Sequence, residues 1–162
     1  MLSAENVYIM TSMMQDIIQH GTGRRAKALR RNDLAGKTGT TNDQRDAWFS
    51  GFNGEIVTTA WVGFDKPHPL GDNEFGSRAA LPMWITYMRQ ALKDSPETRL
   101  QQPAGIISVR IDPETGLLAG ADTPNAMFEV FREKFAPKKI ASSNQSSGSV
   151  GEGSGGDIPE LF

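Results

Sequence analysis

Apolar residues recur at helical spacing near the start of the chain, at Val7, Met10, Met14, Ile17 and Ile18. That spacing predicts a helix with one buried face. Ser3 is placed as its N-cap, and Glu5 suits the positive end of the dipole. The helix is expected to stop at His20-Gly21, with Gly21 in the left-handed conformation after its end. Its methionines read as adaptable core filler rather than as a sulfur-rich ligand surface. The period then changes. A polar and glycine-bearing stretch, Leu34 to Thr41, precedes two apolar, aromatic runs, Ala47–Phe52 and Ile56–Phe64. These predict three strands at about 34–41, 45–53 and 56–64, joined as antiparallel hairpins at Asn42-Asp43 and Asn53-Gly54. Trp48, Phe49, Phe52, Trp61 and Phe64 supply the apolar surface, and core packing is the expected use of the tryptophans rather than stacking on sugars.

A loop rich in Pro, Gly, Asp and Asn covers 65–77. Ser77 is then placed to cap a second helix carrying Leu81, Trp84, Ile85, Met88 and Leu92 on one stripe, with Pro82 tolerated in the first turn. Ser95-Pro96 and Pro103-Ala104-Gly105 mark a boundary. After it Ile107, Val109 and Ile111 alternate with polar neighbours as in a half-buried strand. Asp112-Pro113-Glu114-Thr115-Gly116 is turn chemistry, and Leu117-Leu118-Ala119 is the expected returning strand. Met127 to Phe131 is apolar and fits either strand or helix. From Ala141 to Asp157 the chain turns to Ser, Gly, Asn and Gln, which cannot bury a core, so a disordered tail is expected over 141–162. The expected class is α+β: three antiparallel strands with a packed helix at each end, a small β-rich extension over 95–140, and the tail.

Composition narrows the function. The 162 residues carry a net charge of -2, which argues against a nucleic-acid binder. The hydrophobic fraction is 38% and mean hydropathy is -0.41, and no run approaches a membrane span. There are no cysteines, so disulfides and thiolate metal sites are excluded. His20 and His68 are far apart and neither has a second ligand at metal spacing, so no metal or other cofactor is expected. Arg24, Arg25, Lys27, Arg30 and Arg31 form a basic stretch that reads as a solvated face or an anion contact.

The chemistry-bearing stretch is Leu34-Ala35-Gly36-Lys37-Thr38-Gly39-Thr40-Thr41. Its β-branched threonines suit an extended backbone. In a strand Thr38 and Thr40 share one face, and Lys37 and Gly39 the other. Gly39 leaves room for a close approach. Two hydroxyls beside a free edge of amide donors form a seat for a carboxylate or an oxyanion. A phosphate loop of the form G-x-x-x-x-G-K-[ST] would need glycine at position 31, which is Arg31, and a helix after the threonine. Lys37-Thr38-Gly39 instead matches the K-T-G element of serine acyl-transferases.

The longer string Lys37-Thr38-Gly39-Thr40-Thr41-Asn42-Asp43, then Asp46-Ala47-Trp48-Phe49-Ser50-Gly51-Phe52, then Ala60-Trp61-Val62-Gly63-Phe64-Asp65, resembles the class A penicillin-binding proteins, bifunctional peptidoglycan synthases of type 1A among them. The resemblance runs from about Leu2 to about Pro137. It implies that residues 1–94 form the C-terminal half of a serine β-lactamase/transpeptidase-like fold. The implied reaction is acyl transfer from a D-Ala–D-Ala stem peptide, with β-lactams as mimics. Lys37 would supply positive potential and help pass a proton, and Thr38 and Thr40 would offer hydroxyls to the terminal carboxylate. The Thr40 amide would be an oxyanion-hole donor, Gly39 would keep the approach open, and Thr41 would support the strand. The implied parent sits in the bacterial inner membrane with this domain in the periplasm. The implied partners are the stem peptide, β-lactams and an N-terminal half of the domain not seen in this chain. The start shows no signal peptide pattern, and the chain is expected to be a C-terminal fragment. No serine is followed three residues later by lysine, so the S-x-x-K nucleophile motif is absent. Ser142-Ser143-Asn144 fits S-x-N but lies downstream in the tail, the wrong place for the family's second motif. The polypeptide alone is therefore expected to be inactive. The alternative is a small non-enzymatic α/β interaction module in which K-T-G is accidental.

Overall fold

Helix α1 (Ala4–Gln19) starts where the spacing predicts, with the Ser3 hydroxyl accepting the Asn6 amide at 3.3 Å. Thr11 and Ile18 are its buried positions, seven residues apart on one stripe, while Val7 and Met10 are largely exposed. The chain turns at His20, as expected. Gly21, however, does not take a left-handed conformation. Glycine fits closely there, since a Cβ would lie 3.0 Å from the Ile17 backbone. A short 3-10 turn (Arg24–Leu29) follows, burying Ala26 and exposing its cations.

The structure is a computed structural model and describes residues 2–141. Strands β1 (Ala35–Thr40), β2 (Asp46–Phe52) and β3 (Val57–Gly63) form an antiparallel sheet in that order. Helix α2 (Leu81–Ala91) packs on one face. The alternation of β2 decides what goes where: Ala47 and Phe49 are fully buried, whereas Trp48 and Ser50 face the other way. Trp84 of α2 meets Phe49 edge-on at 4.9 Å and donates its indole N–H to the Thr58 carbonyl. Ala60, Leu81, Ile85, Met88, Leu92, Leu34 and Ile18 complete this core. The tryptophans of the strands correct the expectation of core packing. Trp48 and Trp61 are 41% and 42% exposed on the opposite face, 5.9 Å apart, and Trp61 donates its N–H to Asp46 at 2.9 Å. Phe64 is also exposed and stacks on His68.

Gly51 lies directly under the Trp84 ring; a Cβ there would sit 2.6 Å from Trp84 Cζ2. Gly51→Ala is therefore expected to cost about 1–3 kcal/mol by overpacking. Urea unfolding checks this, and the cost should fall when Trp84 is also made smaller.

The β2–β3 connection is closed by Asn53, whose amide donates to the Ile56 carbonyl at 3.0 Å and whose side-chain oxygen accepts the amides of Glu55 and Ile56. Ser77 does not cap α2. The cap position is Ala80, with no side-chain bond, because the Gly76 carbonyl takes the amides of Ala80 and Leu81 directly. Pro82 falls in the first turn, where its missing N–H costs nothing.

Strand β4 (Ile106–Ile111) has the expected half-buried alternation. Its partner is β5 (Met127–Arg132), which settles that segment as strand. Leu117-Leu118-Ala119 is not the returning strand; Leu118 makes only single bridges, to Ile111 and Ile140. The 112–116 turn forms as its chemistry requires: Asp112 accepts from the Thr115 hydroxyl at 2.7 Å, and Gly116 has a φ of 69°. The described residues divide into two compact units, 2–107 with 130–134, and 108–129 with 135–141. Among the described residues no helix is long and apolar enough to cross a membrane. The expected tail beyond Ala141, with Ser142-Ser143-Asn144, lies outside the described residues.

Candidate functional site at the open edge of the sheet

Among the described residues strand β1 is an edge strand, paired only with β2. Just past its end the Thr41 amide donates to the Asp46 carbonyl of β2 at 3.1 Å. Backbone groups alternate sides along an antiparallel strand. The amides of Lys37 and Gly39 therefore also face β2, and those of Gly36, Thr38 and Thr40 face outward. The Thr38 carbonyl agrees, for the Lys37 ammonium donates to it from the edge at 2.8 Å. Lys37 and Thr38 leave the strand on opposite faces, paired with Ser50 and Phe49 respectively. The lysine side chain nevertheless curls round the edge, so that Nζ also lies 3.4 Å from Thr38 Oγ1.

Two further groups reach this edge from outside the strand. Thr22, between the end of α1 and the 3-10 turn, places its hydroxyl 2.8 Å from the Thr38 hydroxyl. Gly76 donates its amide to Thr40 Oγ1 at 3.1 Å. A Cβ on Gly76 would lie 2.2 Å from the Trp48 carbonyl and 2.6 Å from that of Gly39, so only glycine can pass there. With Gly76 donating, the Thr40 hydroxyl keeps its own proton for another acceptor. The result is an ammonium, two hydroxyls and outward amides along one margin, a set able to hold a carboxylate and a developing oxyanion. It is an open edge rather than a hole. Two cavities, of about 320 and 230 Å³, lie elsewhere in the same unit, one beside Tyr8, Ser12 and Arg99, the other beside Glu5 and Arg132. Lys37 lies inside a strand and opens no helix, which removes the phosphate-loop reading.

The start of β1 is held by Asp33, whose side chain is 2% exposed. Arg31 grips both its oxygens, at 2.9 and 2.7 Å. Asn53 Nδ2, the Thr98 amide and the Thr98 hydroxyl also donate to Oδ2, at 3.2, 3.0 and 3.3 Å. Burial acts to raise the carboxyl pKa. The hydrogen bonds from Arg31, Thr98 and Asn53, with the Arg31 charge, outweigh it and hold the group at about 2. Arg31 also donates to the carbonyls of Ser95 and Pro96. One buried carboxylate thus ties together the entry to β1, the β2–β3 turn and the segment after α2.

Sequence reasoning reached Lys37, Thr38, Gly39 and Thr40, and β1 brings all four to this edge. It missed Thr22, Gly76 and Asp33, which join the strand across 16, 36 and up to 65 positions of sequence. Arg31 was read with the solvated cations and is instead largely buried. The glycines around Thr22, at 21 and 23, were the available signal of a constrained turn there.

Comparison with known proteins places this chain in a family. Residues 102–145 match the family described as "Penicillin-binding protein 1A, C-terminal domain". Penicillin-binding protein 1A of Pseudomonas aeruginosa is 56% identical over 139 residues, covering 86% of this chain and 17% of that protein. Its namesake in Neisseria gonorrhoeae is 49% identical over 107 residues, covering 66% and 13%. The crystal structure of penicillin-binding protein 1A from Haemophilus influenzae superposes with a TM-score of 0.80 at 37% identity, covering 87% of this chain and 22% of that one. The chain thus spans 17% of the length of its Pseudomonas relative. The superposition supports the α+β architecture with antiparallel sheets. On this combined ground the chain belongs to the class A penicillin-binding proteins and corresponds to the C-terminal region of the 1A type.

Proposed function

We propose that this chain supplies the K-T-G strand of a peptidoglycan D,D-transpeptidase domain, the C-terminal half of a serine β-lactamase-like fold. The observation that carries the reading is the convergence of Lys37 Nζ and Thr38 Oγ1 at an open strand edge toward which the Thr40 amide also points. In the proposed reaction a serine from outside this chain attacks the carbonyl between the two terminal D-alanines. The peptide bond breaks, the terminal D-alanine leaves with a proton, and an amine of a second stem peptide resolves the ester. Lys37 draws the substrate carboxylate and stabilises negative charge, while the hydroxyls of Thr38 and Thr40 hold that carboxylate. The Thr40 amide is one donor to the oxyanion, and Gly39 leaves the approach clear. β-Lactams enter the same seat. The parent protein is placed in the inner membrane, with this region in the periplasm. No observation favours an accidental K-T-G in an interaction module.

Because no S-x-x-K serine occurs in these 162 residues, the polypeptide alone is expected to form no covalent adduct with a fluorescent penicillin. A stable adduct on the isolated chain would overturn this. In a longer polypeptide that joins the segment to such a serine, Lys37→Ala should slow acylation by about 10²–10³-fold, the usual cost of a lost charge-stabilising group. Acylation at an unchanged rate would remove Lys37 from the mechanism.

A further inference from the structure

We propose that Thr22 is a positioning residue for the carboxylate seat: its hydroxyl donates to Thr38 and backs that group while the Thr38 proton turns to an incoming carboxylate. This rests on the reading of the β1 edge as a carboxylate site. Thr38 Oγ1 lies between Thr22 Oγ1 at 2.8 Å and Lys37 Nζ at 3.4 Å. An ammonium can only donate, so Thr38 accepts from Lys37. The bond between the hydroxyls can run either way, and the two directions have opposite consequences. If Thr38 donates to Thr22, its proton is spent and it has nothing for an incoming anion. If Thr22 donates to Thr38, both lone pairs of Oγ1 are filled and the Thr38 proton turns outward. An arriving carboxylate accepts that proton and selects the second direction. The chain Thr22 to Thr38 to carboxylate is then polarised along its length, with Lys37 reinforcing the middle oxygen.

Thr22 is suited to this because it is rigidly presented. The Gly21 amide donates to the Asp16 and Ile17 carbonyls, and the Gly23 amide to the Ile17 carbonyl at 2.9 Å. Both flanking glycines are tightly packed. A Cβ at Gly21 would lie 3.0 Å from Ile17 O, and one at Gly23 would lie 3.1 Å from it and 3.2 Å from Ile18 Cγ1. The end of α1 therefore clamps the residue on either side, and the hydroxyl is delivered to β1 with little freedom to leave it. Valine keeps the shape of Thr22 and removes the donor, whereas serine keeps the donor.

The test is an NMR titration of the 162-residue chain with N-acetyl-D-alanyl-D-alanine and with its C-terminal amide, following the backbone resonances of Thr38 and Thr40. Wild type should prefer the carboxylate form. Thr22→Val should lower that preference about five- to tenfold, the scale of one hydrogen bond between neutral groups. Affinity for the amide form should stay unchanged, and Thr22→Ser should restore the preference. Unaltered shifts in α1 and β2 show that valine has not disturbed the fold. If wild type prefers the carboxylate and valine leaves the preference intact, the role of Thr22 is overturned while the seat stands. If wild type shows no preference, the carboxylate seat is wrong and the role of Thr22 falls with it. A loss that lowers both ligands equally marks Thr22 as merely structural and also overturns the proposal.

Discussion

Asp33→Ala should destabilise the protein by about 3–5 kcal/mol, the cost of removing one partner from a buried, hydrogen-bonded ion pair. The variant would leave the Arg31 guanidinium with only the carbonyls of Ser95 and Pro96. It would also strip an acceptor from Asn53 Nδ2 and from the Thr98 amide. The Arg31 side chain is 11% exposed and Asn53 is buried, so these two bear part of their desolvation cost. Asp33→Asn should cost less, since the amide oxygen can still accept. Urea unfolding at neutral pH measures both, and a loss below about 1 kcal/mol in the alanine variant would remove Asp33 as the hub, because ordinary surface changes stay within that range.

The same carboxylate predicts an acid limb. Its folded pKa is depressed from 3.8 to about 2. A depressed carboxyl stabilises the folded state at pH values above its unfolded pKa, and that stability disappears as pH falls from about 4 toward 2. The shift corresponds to about 2 kcal/mol at 1.36 kcal/mol per pKa unit. Asp33→Asn should lack this limb while retaining those of other carboxylates. If wild type and the asparagine variant lose stability in parallel between pH 4 and 2, the depressed pKa is not a property of Asp33.

Trp84→Ala should cost about 3–5 kcal/mol, as truncation of a large buried aromatic does. The ring is wholly buried, meets Phe49 at 4.9 Å and rests on the bare backbone of Gly51. It is also the only side chain donating to the Thr58 carbonyl among the described bonds. Trp84→Phe should cost less, retaining most of the area and losing that bond. A double-mutant cycle with Phe49→Leu should show coupling of about 0.5–1.5 kcal/mol for the aromatic pair. Additive costs would mean that α2 holds the sheet by area alone. Because α2 backs the sheet on the face that Thr38 and Thr40 share, loss of this contact should also broaden the resonances of β1.

Much of the fold was legible because its periodicities are clean. The spacing from Val7 to Ile18, the runs from Ala47 and Ile56, and the stripe from Leu81 to Leu92 marked two helices and three strands within a residue or two of their limits, except the start of α2, which was expected after a Ser77 cap and lies at Leu81. The K-T-G strand was legible because its residue types are chemically unusual for an edge. The fate of Trp48 and Trp61 was not, since alternation says that two faces exist but not which one α2 covers. Nor was the partner of β4: Leu117-Leu118-Ala119 is apolar enough, but the turn after Asp112 leaves Leu118 with isolated bridges, and the longer Met127–Arg132 segment takes the ladder.

By itself, then, the order of residues determined where helix and strand begin and which strand carries the cation and hydroxyls, because these depend on neighbours a few positions away. Tertiary structure decided which of those groups meet. Thr22 reaches Thr38 only because α1 ends beside β1, and Asp33 collects donors from Arg31, Asn53 and Thr98 only once the hairpin and the segment after α2 have folded over it. Contacts across 16 to 65 positions are set by packing, and packing is a property of the whole unit rather than of any stretch within it.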